Sequence, residues 1–177
     1  MPRSELDLNP VQHITADAIG QPGQRVFYLQ GWHATDIRPV TIIIEKVQLQ
    51  TLATGLEQML AEVARQNPAL SESAAEYDEE KMRITPPVDP LFRAGEMGLG
   101  YDADHDLIVI LVREIVMEDG DLEEASVVRF WCNRQQARWL AAWSTVVVNR
   151  GRPICPQCGQ PMEPEGHFCP KKNGHKH

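Results

Sequence analysis

Four residues near the end of the chain have the types and spacing of a metal site: Cys155 and Cys158, then His167 and Cys169, within CPQCGQPMEPEGHFCP. Two thiolates separated by two residues can grip one ion from a single tight turn, and the glycine after the second, Gly159, relieves that turn sterically. A second pair of ligands follows after eight intervening residues. Together they make a closed tetrahedral set of three cysteines and one histidine, the donors that suit zinc. His175 and His177 are alternative imidazole donors to His167. A loop this short has no core of its own, so the ion would supply its folding energy and act as a structural staple. A redox CxxC pair sits between a strand and a helix, and no helix is expected to follow here. A catalytic ion would need an open coordination position and a nearby base, and Glu163 and Glu165 are framed as loop residues by Pro161 and Pro164.

Other chemistry-bearing stretches are weaker. Asp102, Asp104 and Asp106 in DADHD open like a calcium loop, but the sixth and twelfth positions are Leu107 and Arg113 instead of glycine and glutamate, which leaves a hairpin turn. GQPGQR, Gly20 to Arg25, precedes a strand, whereas phosphate-cradling loops follow one and open a helix. A turn is expected there, with a small anion site at Arg25 as a minor alternative. His13, His33 and His105 fall in expected loops and read as surface histidines. Trp131, Trp139 and Trp143 crowd the last strand and helix, and are expected in core packing or against the metal tail, with an exposed aromatic patch as the alternative. There is no nucleophile with a base, no carboxylate pair on a rigid element and no cofactor fingerprint.

These residues must be placed by a body of limited size. A chain of 177 residues, 42% hydrophobic and 24% charged, suits one core with a small appendage. No apolar run reaches membrane-spanning length and the start has no signal-peptide pattern, so a cytoplasmic protein is expected. Three of four cysteines crowd into residues 155–169, and Cys132 sits alone in an apolar run, which suits metal ligation and one buried thiol in a reducing compartment. The net charge of −8 is uneven: residues 150–177 carry +3 and the remainder −11. An acidic body argues against broad nucleic-acid binding, which only the basic tail could escape.

VFYLQ (26–30) and VTIII (40–44) read as a hairpin across a turn-rich connection. Leu49, Leu52, Leu56, Met59, Leu60 and Val63 then recur at helical spacing, and the helix should run to about Gln66, before Asn67-Pro68. Residues 68–90 read as an exposed acidic linker, with a short helix over 71–82 as the alternative. Strands are expected over 91–101, 107–116 and 126–132, with glycines marking a bulged or closely packed first strand. Asn133 and Gln136 form a capping box that opens a second amphipathic helix, ended near Asn149 to Gly151. An offset of 88 superposes the two strand-to-helix corners, with too few identities to separate a duplicated ββα unit from generic strand–helix punctuation. The expected fold is α+β, a mainly antiparallel sheet of about five strands with two amphipathic helices on one face. Residues 1–150 would form this domain and 151–177 a zinc-ribbon-like tail.

GQPGQRVFYLQ, FRAGEMGLGYD and CPQCGQPMEPEGHFCP with Asn173-Gly174 resemble the bacterial domain-of-unknown-function 3090 family over nearly the whole chain. The end departs from that pattern at His175, where the family carries an aromatic residue. The resemblance implies no established activity. It does imply genetic neighbours, a histidine-phosphatase-like protein and a relative of lipid kinases. The expected function is a zinc-stabilised intracellular binding or adaptor module with a protein partner. The alternatives are an enzyme or enzyme subunit acting on a phosphorylated metabolite, and nucleic-acid binding through the basic tail.

Overall fold

The computed structural model describes residues 3–21, 23–74, 76–151, 155–160, 162 and 167–171. The elements follow as β1 (Glu5–Leu8), β2 (Val11–Ile19), β3 (Val26–His33), β4 (Val40–Ile44), α1 (Lys46–Gln66), β5 (Pro90–Asp102), β6 (Leu107–Glu114), β7 (Val127–Asn133) and α2 (Arg134–Asn149). The α+β class holds. The expected sheet of about five mainly antiparallel strands is corrected to seven strands in a mixed sheet, ordered β1-β7-β6-β5-β4-β3-β2. β4 and β5 run parallel, as do β1 and β7. Parallel neighbours need a long crossover, which α1 and the acidic stretch after it supply between β4 and β5.

Of the two strands missing from the sequence reading, β1 is only four residues long, and β2 escapes the alternation test for a physical reason. β2 buries Thr15 and Asp17 as well as Ile14 and Ala16, so apolar and polar residues do not alternate along it. β1 and β2 stand at opposite ends of the strand order, yet only Asn9-Pro10 separates them in the chain. The chain itself therefore bridges the two edge strands, so that the ring is covalent at the β1–β2 corner and hydrogen-bonded elsewhere. Inside, Phe130 packs so tightly on Gly31 that a Cβ at that glycine would lie 2.5 Å from its ring.

The ring has two matching halves. β2, β3 and β4 form an antiparallel meander followed by α1, and β5, β6 and β7 form another followed by α2. Both helices open with a complete capping box, Glu45 with Gln48 and Asn133 with Gln136, 88 residues apart. Each box glutamine also reaches into the other half: Gln48 donates to the carbonyls of Ala94 and Gly95, Gln136 to those of Val11 and Gln12. Pairing matches as well, since Thr41 of β4 faces Pro90 and Arg129 of β7 faces Asp7. The repeated unit is βββα, one strand larger than the sequence suggests.

The acidic stretch after α1 forms no helix over 71–82, and residues 79–82 make turns. It is exposed along most of its length but tied to β2, β3 and α2. The Thr15 hydroxyl donates to the Met82 carbonyl, Asp17 accepts from the Ile84 N–H, and Gln30 exchanges two hydrogen bonds with Thr85. Met82 is buried beneath it.

Candidate metal centre

α2 ends at Asn149, and its last carbonyls are met by Arg25, whose guanidinium donates to Val147 at 2.9 Å and to Val148 at 3.4 Å. Gly151 then turns with φ +88°, a conformation that favours glycine. Beyond it the knuckle begins. The Gly159 N–H donates to the Cys155 carbonyl at 2.9 Å, and the Cys155 N–H to the Gln160 carbonyl at 2.8 Å. Gly159 takes φ +72°, the left-handed conformation that a residue closing such a turn needs.

That turn aims backbone donors at sulfur. The N–H groups of Cys158 and Gln157 point at the Cys155 thiol and draw its pKa down to about 6, helped by the neighbouring thiols. At Cys158 the Gln160 N–H pulls the same way, but burial and the adjacent sulfurs outweigh it and hold that thiol above its usual value. A cysteine that is already a thiolate near neutral pH is a ready metal ligand.

The second half of the site arrives on an extended segment. Residues two apart on extended backbone face the same side, so His167 and Cys169 both turn inward while Phe168 between them is 65% exposed. Donor atoms of Cys155, Cys158, His167 and Cys169 all lie within 4.8 Å of one another. The sulfurs of Cys155 and Cys169 are 3.9 Å apart, and Cys158 sulfur lies 3.3 Å from His167 Nε2. A tetrahedral ion about 2.3 Å from each sulfur sets those sulfurs about 3.8 Å apart. The donor set and its spacing fit a metal ion. His175, His177, Glu163 and Glu165, also weighed from the sequence, lie outside the described residues, as do Arg152, Lys172 and Lys176 of the basic tail.

The family model described as Protein of unknown function (DUF3090) matches residues 6–169, a span that ends on the last of the four donors. The chain belongs to that family. No curated protein and no solved structure matches it. Membership in DUF3090 carries no activity with it, so chemistry must be read from this chain's own residues.

The other residues singled out in the sequence go elsewhere. Asp102 accepts from the N–H groups of Asp104 and His105 within the β5–β6 turn, and Asp106 accepts from Arg134 and Tyr101. Those carboxylates serve the hairpin. Cys132 is fully buried and its thiol is pushed up to about 12 by that burial. His33 contacts Thr35 and His105 pairs with Asp102 near the surface. His13 departs from the expected surface loop: it lies half-buried within β2. Trp143 is fully buried, its indole donating to the Ala16 carbonyl, while Trp139 donates to Glu76 and Trp131 to Asp7.

Two clefts flank the N-terminus of α1. One, about 440 Å³, brings Arg25, Lys46 and Arg93 together with Glu45. Its cations are partly committed, Arg25 to the end of α2 and Arg93 to Glu45 at 2.6 Å. The other, about 380 Å³, lies between α1 and β5 over Thr51, Gly55, Met97, Gly98 and Leu99. Sequence reasoning missed this second cleft. Its signal was present as Gly55 inside a helix and glycines at 95, 98 and 100 inside a strand, positions where side chains are absent rather than characteristic. Among the described residues no helix is long and apolar enough to cross a membrane.

Proposed function

We propose that the protein is a cytoplasmic binding or adaptor module for a protein partner, with its C-terminal segment folded by one structural zinc ion. The observation that carries this reading is the closed donor set: Cys155, Cys158, His167 and Cys169 offer four protein ligands within 4.8 Å. Four protein ligands complete a tetrahedral zinc shell and leave no position for substrate or activated water. Zinc's chemistry there is to hold thiolates and imidazole together. These residues orient one another: the turn donors keep Cys155 ionised, and the extended His167–Cys169 segment delivers its two ligands from one side.

Partner recognition is supported by the body. Trp139 and Trp143 are used within the chain, so the aromatic residues of α2 are committed to internal contacts. The α1–β5 cleft offers a concave, mainly apolar surface. The test is metal analysis of gently purified chain together with crosslinking in the native host. One zinc per chain and a specific crosslinked protein are expected. Metal-free protein, or no crosslinked partner, would contradict the reading.

The cationic cleft favours a second reading, an enzyme or enzyme subunit acting on a phosphorylated metabolite. Titration with inorganic phosphate and pyrophosphate, followed by NMR, decides it. Saturable shifts at Arg25, Lys46 and Arg93 would support it, and their absence would remove it. Nucleic-acid binding through the basic tail predicts salt-sensitive retention on heparin that is lost on deleting residues 150–177.

A further inference from the structure

The two halves of the ring match in capping box and strand register, yet the groove between each helix and the first strand of the other half is treated differently. In the groove between α2 and β2, the chain covers itself with the acidic segment after α1. Gln135 exchanges two hydrogen bonds with the backbone of Ala74, at 2.8 and 2.6 Å, and Trp139 donates to Glu76 at 2.7 Å. Tyr77 packs edge-on against Trp143, ring centroids 5.9 Å apart, and Thr15 and Asp17 hold the backbone of Met82 and Ile84. Arg134 donates to the carbonyl of Ser71 at the near end.

In the groove between α1 and β5, each of these holding groups is replaced. The capping boxes place Thr51 where Trp139 stands and Gly55 where Trp143 stands. The strand pairings place Gly98 and Gly100 where Thr15 and Asp17 stand. Val47 takes the place of Gln135 and is 64% exposed. The result is the open 380 Å³ cleft, with no charged residue in its lining. At its N-terminal end, Lys46 takes the place of Arg134, and the neighbouring cleft adds Arg25 and Arg93 against the single carboxylate of Glu45. A locally basic corner on a body that carries −11 outside residues 150–177 is complementary to acidic chain.

We infer that the α1–β5 cleft is the docking site for an extended, acidic segment of a partner protein, which inserts a large aromatic side chain between Thr51 and Gly98, beside the Leu99 side chain that lies over Gly55, and sets a carboxylate against Lys46 and Arg93. The occupant's chemistry is that of the segment filling the matching groove, SESAAEYDEEKMRIT (71–85), which is acidic and carries Tyr77. Because the open half lacks the two tryptophans of the filled half, the partner must bring the aromatic volume itself. This rests on the binding-module reading and names the partner's chemistry. The recognition mode is an extended peptide in a side-chain-lined groove.

The experiment is selection of a random phage-displayed peptide library, about 12 residues long, against the full chain. Enriched peptides should combine acidic residues with an aromatic one and shift the amide signals of Val47, Gly55 and Gly98. Two variants fill or charge the cleft. Thr51→Trp restores the bulk found at Trp139. Gly98→Glu adds a charge where a Cβ meets nothing within 4 Å, so the fold should tolerate it. Each should weaken the selected peptides by about tenfold or more while circular dichroism and melting stay close to those of the parent chain. No enrichment, or peptides that bind both folded variants as well as the parent, would overturn the inference. So would concentration-dependent dimerisation that Thr51→Trp abolishes, since a second copy would then be the occupant. Crosslinking in the native host separates the two levels. A protein captured equally by parent and Thr51→Trp removes the cleft inference and leaves the binding module standing, whereas capture of nothing by either removes both.

Discussion

The ring and the tail reach order by different physics. In the ring, Phe130, Ile42, Leu49, Ile110, Leu140 and Trp143 are buried essentially completely, and side-chain packing holds strand to helix. Among the described tail residues, the only ones fully withdrawn from water are Cys155 and Cys169, both of them donors in the cluster, while Phe168, its one described large hydrophobic ring, points outward. What the contrast teaches is that apolar burial needs a surface to close against. A segment too short to make one can substitute a single multidentate ion.

The contrast can be broken most directly by withdrawing the proposed metal ion. Chelation, or Cys158→Ser, should collapse the dispersed NMR signals of residues 155–171 while the melting of the ring moves little; structural zinc in short peptides is bound by roughly 10–16 kcal/mol at neutral pH, so the tail has no folded metal-free state to fall back on. Loss of the ring's cooperative melting along with the tail would show that the two regions are not separable.

The complementary change is Trp143→Ala, which empties the centre of the ring and removes the indole N–H that donates to the Ala16 carbonyl. It should cost about 3–5 kcal/mol in denaturant unfolding with metal content unchanged. Smaller effects should follow from Gln48→Ala and Gln136→Ala, each removing half a capping box and two carbonyl contacts in the opposite half, at about 1 kcal/mol apiece. Equal costs would sharpen the match between the halves, and a cost confined to one would weaken it.

The smallest expected effect is a pH dependence confined to the ring. Burial in β2 holds His13 below its ordinary pKa of 6.5, partly offset by the backbone of Lys81. The folded chain therefore prefers the neutral ring. Its contribution is fully present above pH 6.5 and is lost as pH falls from there through the lower folded-state pKa. Melting followed from pH 7.5 to 5.5 should decline more in the parent chain than in His13→Gln.

What could be read from the sequence follows the same division. The clustering of Cys155, Cys158, His167 and Cys169 was legible because coordination constrains residue type and spacing directly, and the two helices because Leu49, Leu52, Leu56, Leu60 and their counterparts on α2 repeat at the helical period. β2 was not, since Thr15 and Asp17 are buried only because a distant segment satisfies their hydrogen bonds. The ring closure was hidden for a related reason: it depends on β1 finding β7, a pairing across about 120 residues that leaves no local pattern. The α1–β5 cleft is made of what Gly55 and Gly98 lack, and becomes visible only when the filled half is laid beside it.

X-ray absorption at the zinc edge, on chain purified without chelators, bears on the central claim most directly. Three sulfurs at about 2.3 Å and one nitrogen at about 2.0 Å, one zinc per chain, and loss of the signal in Cys155→Ser are the expected result. Protein that folds its tail without metal, or a shell containing water oxygen in place of one of these ligands, would contradict it.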